Sequence, residues 1–317
     1  MPCLLHAGGN PVIGNVRRHS TPCPSATLKK HMRFELTHQN AAGVKATSSR
    51  EISYLQLVKH LTFAGIDKAF FFALPARYMA NFFEFSQHYN FFRGRIYPLN
   101  ILAADPTERN YISNRLGRAM ADHLSKSIYL ARYTHSYECA MAIAGFQITG
   151  TRPDFYCDTG VQQFAVEAKG LSVPSVSDAQ MAEHKIQSTS GPLPVNFSVA
   201  SVAYGLYRRP KVKYYDPIQE GLEYQRTLNL SLRSNYYAAV LTFVSESGLF
   251  DREPTREGRQ QRFRSRQLMN GTDILIDDEV FRSAWNDSAW SYDRDEEIGE
   301  AKFMDRDGIG VMQARQG

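Results

Sequence analysis

Asp154, Glu167 and Lys169 combine two carboxylates and an ammonium in one short stretch of sequence. Paired carboxylates offer hard oxygen ligands of the kind magnesium prefers, with manganese as a substitute. Phosphodiester hydrolysis needs such an ion to neutralise the phosphate and acidify a water, and a further group to orient that water. Asp154 and Glu167 are expected to hold the metal, with the Ala168 carbonyl as an added ligand. Lys169 is expected to position the attacking water or steady developing charge.

These residues can meet only if the chain between them folds back. The stretch from Gly150 carries Pro153-Asp154-Phe155, a turn at Asp158-Thr159-Gly160, and then Phe164 to Gly170. Its alternation predicts a β-hairpin. Side chains in a strand alternate, so Phe164, Val166 and Ala168 share one face and Ala165, Glu167 and Lys169 share the other. A four-residue turn near Gly160 brings Asp154 to within a residue or two of Glu167. Upstream, Glu138 is expected on the last turns of a helix facing the hairpin, as a further metal ligand and catalytic acid. Glu-x-Lys also occurs at Glu183-His184-Lys185 and Glu300-Ala301-Lys302, but in polar or charged surroundings without a strand pattern. Agreement across several levels singles out Glu167.

In this order, a helix glutamate, a glycine, Pro-Asp-Phe and an apolar strand ending Glu-Ala-Lys-Gly, the segment from about 132 to 207 resembles the PD-(D/E)xK superfamily of restriction-endonuclease-like nucleases. The resemblance implies an α/β core with a central mixed β-sheet flanked by helices. It also implies a magnesium-dependent phosphodiesterase acting on nucleic acid, DNA in the first instance. Glu138, Asp154, Glu167 and Lys169 match the helix acid, the motif aspartate, and the acid and lysine of the final strand. A following helix with polar residues facing the site is expected to contribute Lys185 and Gln187.

The rest of the chain divides by composition. Residues 1–47 read as a basic, partly flexible extension with a strand-like patch at 32–36. An accessory region over 48–106 opens with a capping box, Ser48 and Glu51, and contains an apolar strand at 69–74 and a run of aromatics. The nuclease core is assigned to 107–250. It opens with a helical region to about 145, broken near 127–134, and includes a strand over 195–207 and a helix over about 217–250. A basic loop and an acidic C-terminal region fill 251–317. Arg208, Arg209, Lys211 and Lys213, interleaved with tyrosines, are candidate phosphate contacts, as is the arginine-rich stretch from Arg252 to Arg266.

Bulk properties agree with a globular enzyme. The 317 residues carry a net charge of +5, and the first fifty hold seven lysines and arginines against Glu35 alone. A basic body suits a polyanion. The four cysteines form no Cys-x-x-Cys pair, which excludes a zinc ribbon or disulfide framework and fits a reducing cytoplasm. No apolar run reaches the roughly 20 residues a membrane span needs. A homodimer, or partner proteins that supply target recognition, would suit double-strand cleavage. The alternative is a catalytically silent nucleic-acid-binding or interaction protein of a bacterial or phage defence or mobile-element system, with its acidic tail masking a nucleic-acid site.

Overall fold

A computed structural model describes residues 31–66, 74–97, 105–216, 224–244, 249–254, 260–268, 271–285, 296–297 and 302–313. Two long strands, β1 (His31–Gln39) and β2 (Lys45–Ser53), form an antiparallel pair ahead of helix α1 (Tyr54–Phe63). Helix α2 (Leu74–His88) is followed by a small hairpin of β3 (Tyr89–Asn90) and β4 (Arg95–Ile96). The long helix α3 (Pro106–Ile128) leads through β5 (Tyr133–Ser136) to a short helix, α4 (Tyr137–Ile143). Next come β6 (Phe155–Asp158), β7 (Gln163–Gly170), α5 (Asp178–Ser188), β8 (Phe197–Tyr204) and β9 (Lys211–Tyr215).

These strands form one mixed seven-stranded sheet in the order β2-β1-β9-β8-β7-β6-β5. β7 and β8 run parallel, as do β1 and β9, and the other neighbours are antiparallel. Helices cover it, as expected of an α/β chain with a central mixed sheet.

The C-terminal part adds helix α6 (Arg226–Val244) and strands β10 (Leu249–Pro254), β11 (Gln260–Gln267) and β12 (Thr272–Asp277). Helix α7 (Asp278–Trp285) and strands β13 (Glu296–Glu297), β14 (Lys302–Met304) and β15 (Ile309–Gln313) follow. Its six strands form a second sheet, and one hydrophobic core joins Val58 and Leu124 to Ile274 and Val311.

Several expectations change here. Residues 31–53, assigned in large part to a flexible extension, supply two strands of the central sheet, so the core begins well before 107. Ser48 and Glu51 lie in β2. The capping box instead joins Ser53 to Gln56, whose backbone N–H donates to the Ser53 hydroxyl at 3.1 Å. The helical region to 145 contains a strand, β5, because Tyr133 and His135 alternate with buried neighbours at the sheet edge. The helix expected over about 217–250 is described only over Arg226–Val244. The arginine-rich stretch, expected as a loop, contributes β10 and β11. Within the acidic C-terminal region, Thr272–Asp277 and Ile309–Gln313 form β12 and β15. The strand expected at 69–74 falls mainly outside the described residues, and Leu74 opens α2.

Candidate active site

The hairpin forms as its alternation requires. β6 pairs antiparallel with β7, Phe155 opposite Val166, across the four residues 159–162, and Gly160 takes a positive φ of 91° at the turn. Phe164, Val166 and Ala168 face the core beneath α3. Ala165 packs instead with Tyr137 and Tyr156 on the opposite face. Glu167 and Lys169 share that second face, over which α5 crosses. One more step of register sets Asp154 beside Glu167.

Glu167 is fully buried, at 0% exposure. Lys169 Nζ meets its Oε1 at 2.6 Å, as an ion pair outside hydrogen-bond geometry, and Oε2 has no partner. Burial first, and then the Asp154 carboxylate, push the Glu167 pKa up to about 7, against the pull of Lys169. An unpartnered carboxylate oxygen in the interior is costly. Asp154 is better satisfied: Oδ2 accepts the Ala168 N–H at 3.0 Å, and Oδ1 accepts from Arg118 Nη1 at 2.5 Å. The first bond ties Asp154 to the strand carrying Glu167 and Lys169.

Arg118 is the participant that sequence reasoning missed. It comes from α3, on the face opposite Glu167, and its guanidinium lies 4.5 Å over the Phe155 ring on its way to Asp154. Only a tertiary contact over a separation of 36 residues reveals it. The helix comes close because Gly117 lets its backbone touch β7. A Cβ at Gly117 would lie 2.3 Å from the Gly170 nitrogen, and one at Gly170 only 1.6 Å from the Ser113 carbonyl oxygen. His184, on α5, was also missed. It lies near Lys169, and burial followed by that ammonium lowers its pKa.

Glu138 departs from expectation. It sits in the first turn of α4, its side chain is half-exposed, and Arg152 grips it, with Nε at 2.9 Å from Oε1. It nevertheless shares a cavity of about 480 Å³ with Arg118, Arg152, Asp154 and Gln187. Gln187, on α5, is one of the residues lining that cavity. Lys185 is half-buried on the same helix and is not among the residues lining that cavity. His135 belongs to β5 and is wholly buried against Tyr133 and Tyr236, in a packing role.

The candidate phosphate contacts divide. Arg208 and Arg209 are exposed on the loop leaving the C-terminal end of β8, beside a cavity shared with Arg109 and Lys211. Lys211 pairs with Glu35 at 2.8 Å. Lys213 is largely buried, donating to the Val176 carbonyl at 2.8 Å and to Asp178 at 2.9 Å. It therefore serves as a structural tie. The interleaved tyrosines also pack inward: Tyr214 bonds Ser125 and Tyr215 bonds Asp178. Arg264 is likewise spent on Asp278, at 3.0 Å.

Two acids, Asp154 and Glu167, thus converge at the C-terminal end of the parallel pair β7 and β8, where open α/β sheets commonly bind ligands. Among the described residues no three His, Cys, Asp or Glu side chains cluster as a ready-made metal cage. None of the described helices is long and apolar enough to cross a membrane. No protein-family model matches this chain, and no curated protein or solved structure matches it either.

Proposed function

We propose that the chain is a metal-dependent nuclease of the PD-(D/E)xK type, with Asp154, Glu167 and Lys169 at its centre. The observation that carries this reading is the Glu167 carboxylate, fully buried beside Asp154 with Oε2 unpartnered. Natural folds rarely leave such an oxygen without a ligand, so the donor set fits a hard divalent cation. Magnesium, or manganese in its place, would be held by Asp154 and Glu167, and when bound would neutralise phosphate charge and acidify a water.

The chain's own residues do the rest. The Lys169 ammonium, about one-third exposed and anchored by Glu167, can hold a water or a phosphate oxygen at the site. The bond from the Ala168 N–H to Asp154 fixes the aspartate's orientation without side-chain adjustment. Arg118 pairs with Asp154 and adds positive charge where a phosphate would approach. Gln187 and Glu138 border the approach, and Arg208 and Arg209 lie at the same end of the sheet, where a polyanionic strand would pass. DNA is the substrate class proposed first.

The test is digestion of labelled DNA and RNA by the full chain with magnesium, manganese or calcium. Wild type should cut with magnesium or manganese. Lys169→Ala and Asp154→Ala should lower turnover by roughly a hundredfold or more with little change in affinity. Unchanged cleavage by the Lys169 variant, or no cleavage by wild type with any metal, would overturn the reading. One observation favours a second reading, a nucleic-acid-binding protein that does not cut: Arg118 on Asp154 and Arg152 on Glu138 already neutralise two of the acids. That protein would bind the same substrates with no metal-dependent products.

A further inference from the structure

A second cavity, of about 570 Å³, opens on the other side of Arg118. Helices α1, α2 and α3 line this open cleft. Its floor is apolar, made by Leu61, Ala64 and Ala119, all nearly or fully buried. Ala76 and Ala80, one turn apart on α2, leave the wall without bulk. At the rim stands Tyr111, 51% exposed yet held in place, because Arg115 Nη1 donates to its hydroxyl at 3.1 Å and lies over its ring. Arg115 is itself fixed by Glu84 and Asn81 and by the Phe85 ring, 4.9 Å from its Cζ. The lining holds three guanidinium groups, those of Arg77, Arg115 and Arg118, of which Arg115 pairs with Glu84 and Arg118 with Asp154.

An apolar slot, a fixed aromatic at its mouth and guanidinium groups along its lining together form a chemistry that suits a nucleotide. The base would stack on the aromatic, and its phosphate would meet the cations. Arg118 lines this cavity and also the one containing Asp154, so a single side chain borders both. We propose that this cavity is a subsite for the base of a nucleotide adjoining the scissile phosphate, with Tyr111 as the stacking platform and Arg118 as the link to the cleavage centre. The assignment of that centre rests on the nuclease reading above. A base can enter such a slot only when it is out of a duplex stack, so the subsite selects single-stranded or frayed substrate. Glu84, of which Arg115 takes only Oε2, adds an acceptor suited to a base with an exocyclic amino group.

The test uses the full chain in EDTA with a short single-stranded oligodeoxynucleotide carrying one 2-aminopurine. Affinity is followed by anisotropy and stacking by quenching. Wild type should bind it more tightly than the same sequence in a duplex and quench the probe. The cavity-filling double variant Ala76→Leu/Ala80→Leu should bind roughly tenfold or more weakly, the loss of about one base stack. Tyr111→Leu should bind with little quenching. Melting curves establish that both variants fold, and Arg208→Ala serves as a control that weakens binding without changing the quench. Equal affinity and quenching in wild type and the filled variant would overturn the subsite, as would failure of wild type to bind the strand. If the strand binds and quenches as expected but no metal supports cleavage, the nuclease reading fails and the subsite stands. If wild type cleaves while the filled variant keeps the same KM, the subsite fails and the nuclease reading stands.

Discussion

Glu167 occupies a position where a carboxylate is expensive. Burial and the neighbouring Asp154 charge raise its pKa from 4.5 to about 7. A raised carboxylate pKa means that the folded state holds the proton more tightly than the unfolded state. Stability without metal therefore falls as pH climbs from about 4.5 to about 7 and stays lower above that range. At about 1.4 kcal/mol per unit, the ionised side chain costs roughly 3 kcal/mol at pH 8. Glu167→Gln should consequently melt higher than wild type in EDTA at pH 8, by up to about that amount, with the difference vanishing near pH 4. The Lys169 left behind is about one-third exposed and can turn to water, so its loss of partner offsets little. Equal melting temperatures at pH 8 would mean that Glu167 is already satisfied. The same variant should lose cleavage, so that a residue which destabilises the apo fold proves needed for activity.

At the scale of elements, the site depends on how closely α3 lies on β7. Gly117 and Gly170 meet backbone to backbone, with no flexible side chain able to yield. Gly117→Ala should force the helix outward and cost about 1–3 kcal/mol. Because the same helix holds Arg118 and presses on the strand end at Lys169, cleavage should fall by more than stability alone explains. Misplacement by about 1 Å can cost roughly a hundredfold in rate. Melting and steady-state kinetics on one preparation separate the two effects, and a variant with full activity would uncouple the helix contact from the site. The start of α1 gives a further test. Ser53→Ala removes the true cap and should cost about 1 kcal/mol. Ser48→Ala, on an exposed stretch of β2, should stay within about 0.5 kcal/mol of wild type. Chemical denaturation of both variants decides between the two capping positions.

Over the whole molecule, the C-terminal sheet is fastened to the main core by buried charge. Lys59 meets Asp305 at 2.7 Å and Asp307 at 2.9 Å. Lys126 reaches Asp307 at 3.0 Å, Asp305 at 3.3 Å and Asp122 at 3.4 Å. Tyr236 donates to Asp307, and His60 Nδ1 lies 2.6 Å from Asp122. Acidic residues of the tail thus pair inside the fold with lysines from α1 and α3. Burial alone would raise the Asp122 pKa, but Lys126 and His60 outweigh it and hold the group at about 2. A depressed carboxylate stabilises the fold above its unfolded value of 3.8, and that contribution is lost as pH falls toward about 2. Asp305 is held well below its ordinary value in the same way, against its own burial and chiefly by Lys126 and Lys59. The network should therefore open in one acid transition between about pH 4 and 2, followed by tyrosine fluorescence and circular dichroism. Lys126→Met leaves the buried carboxylates of Asp122, Asp305 and Asp307 with only Lys59 and His60 facing them and should cost about 3–5 kcal/mol. A variant as stable as wild type would show that the charges do not fasten the sheet.

What the chain alone determined lies within short stretches of sequence. The alternation through Phe164, Val166 and Ala168, the turn at Gly160 and the position of Pro153-Asp154 were enough to place Asp154, Glu167 and Lys169 on one hairpin, because strand period and turn length are local properties. The helical region read from 107 onward likewise marked α3. Tertiary structure decided everything that depends on which distant segments meet. Arg118 reaches Asp154 from another element, Arg152 claims Glu138, and Lys213 is consumed by Asp178. Parallel pairing of β1 with β9 brings an apparent extension into the central sheet. Charge and composition could not foresee these outcomes, since a lysine or arginine reads the same in sequence whether it is free for a phosphate or already bound to an aspartate. Only the packing that sets its distance to a partner and its exposure to water distinguishes the two.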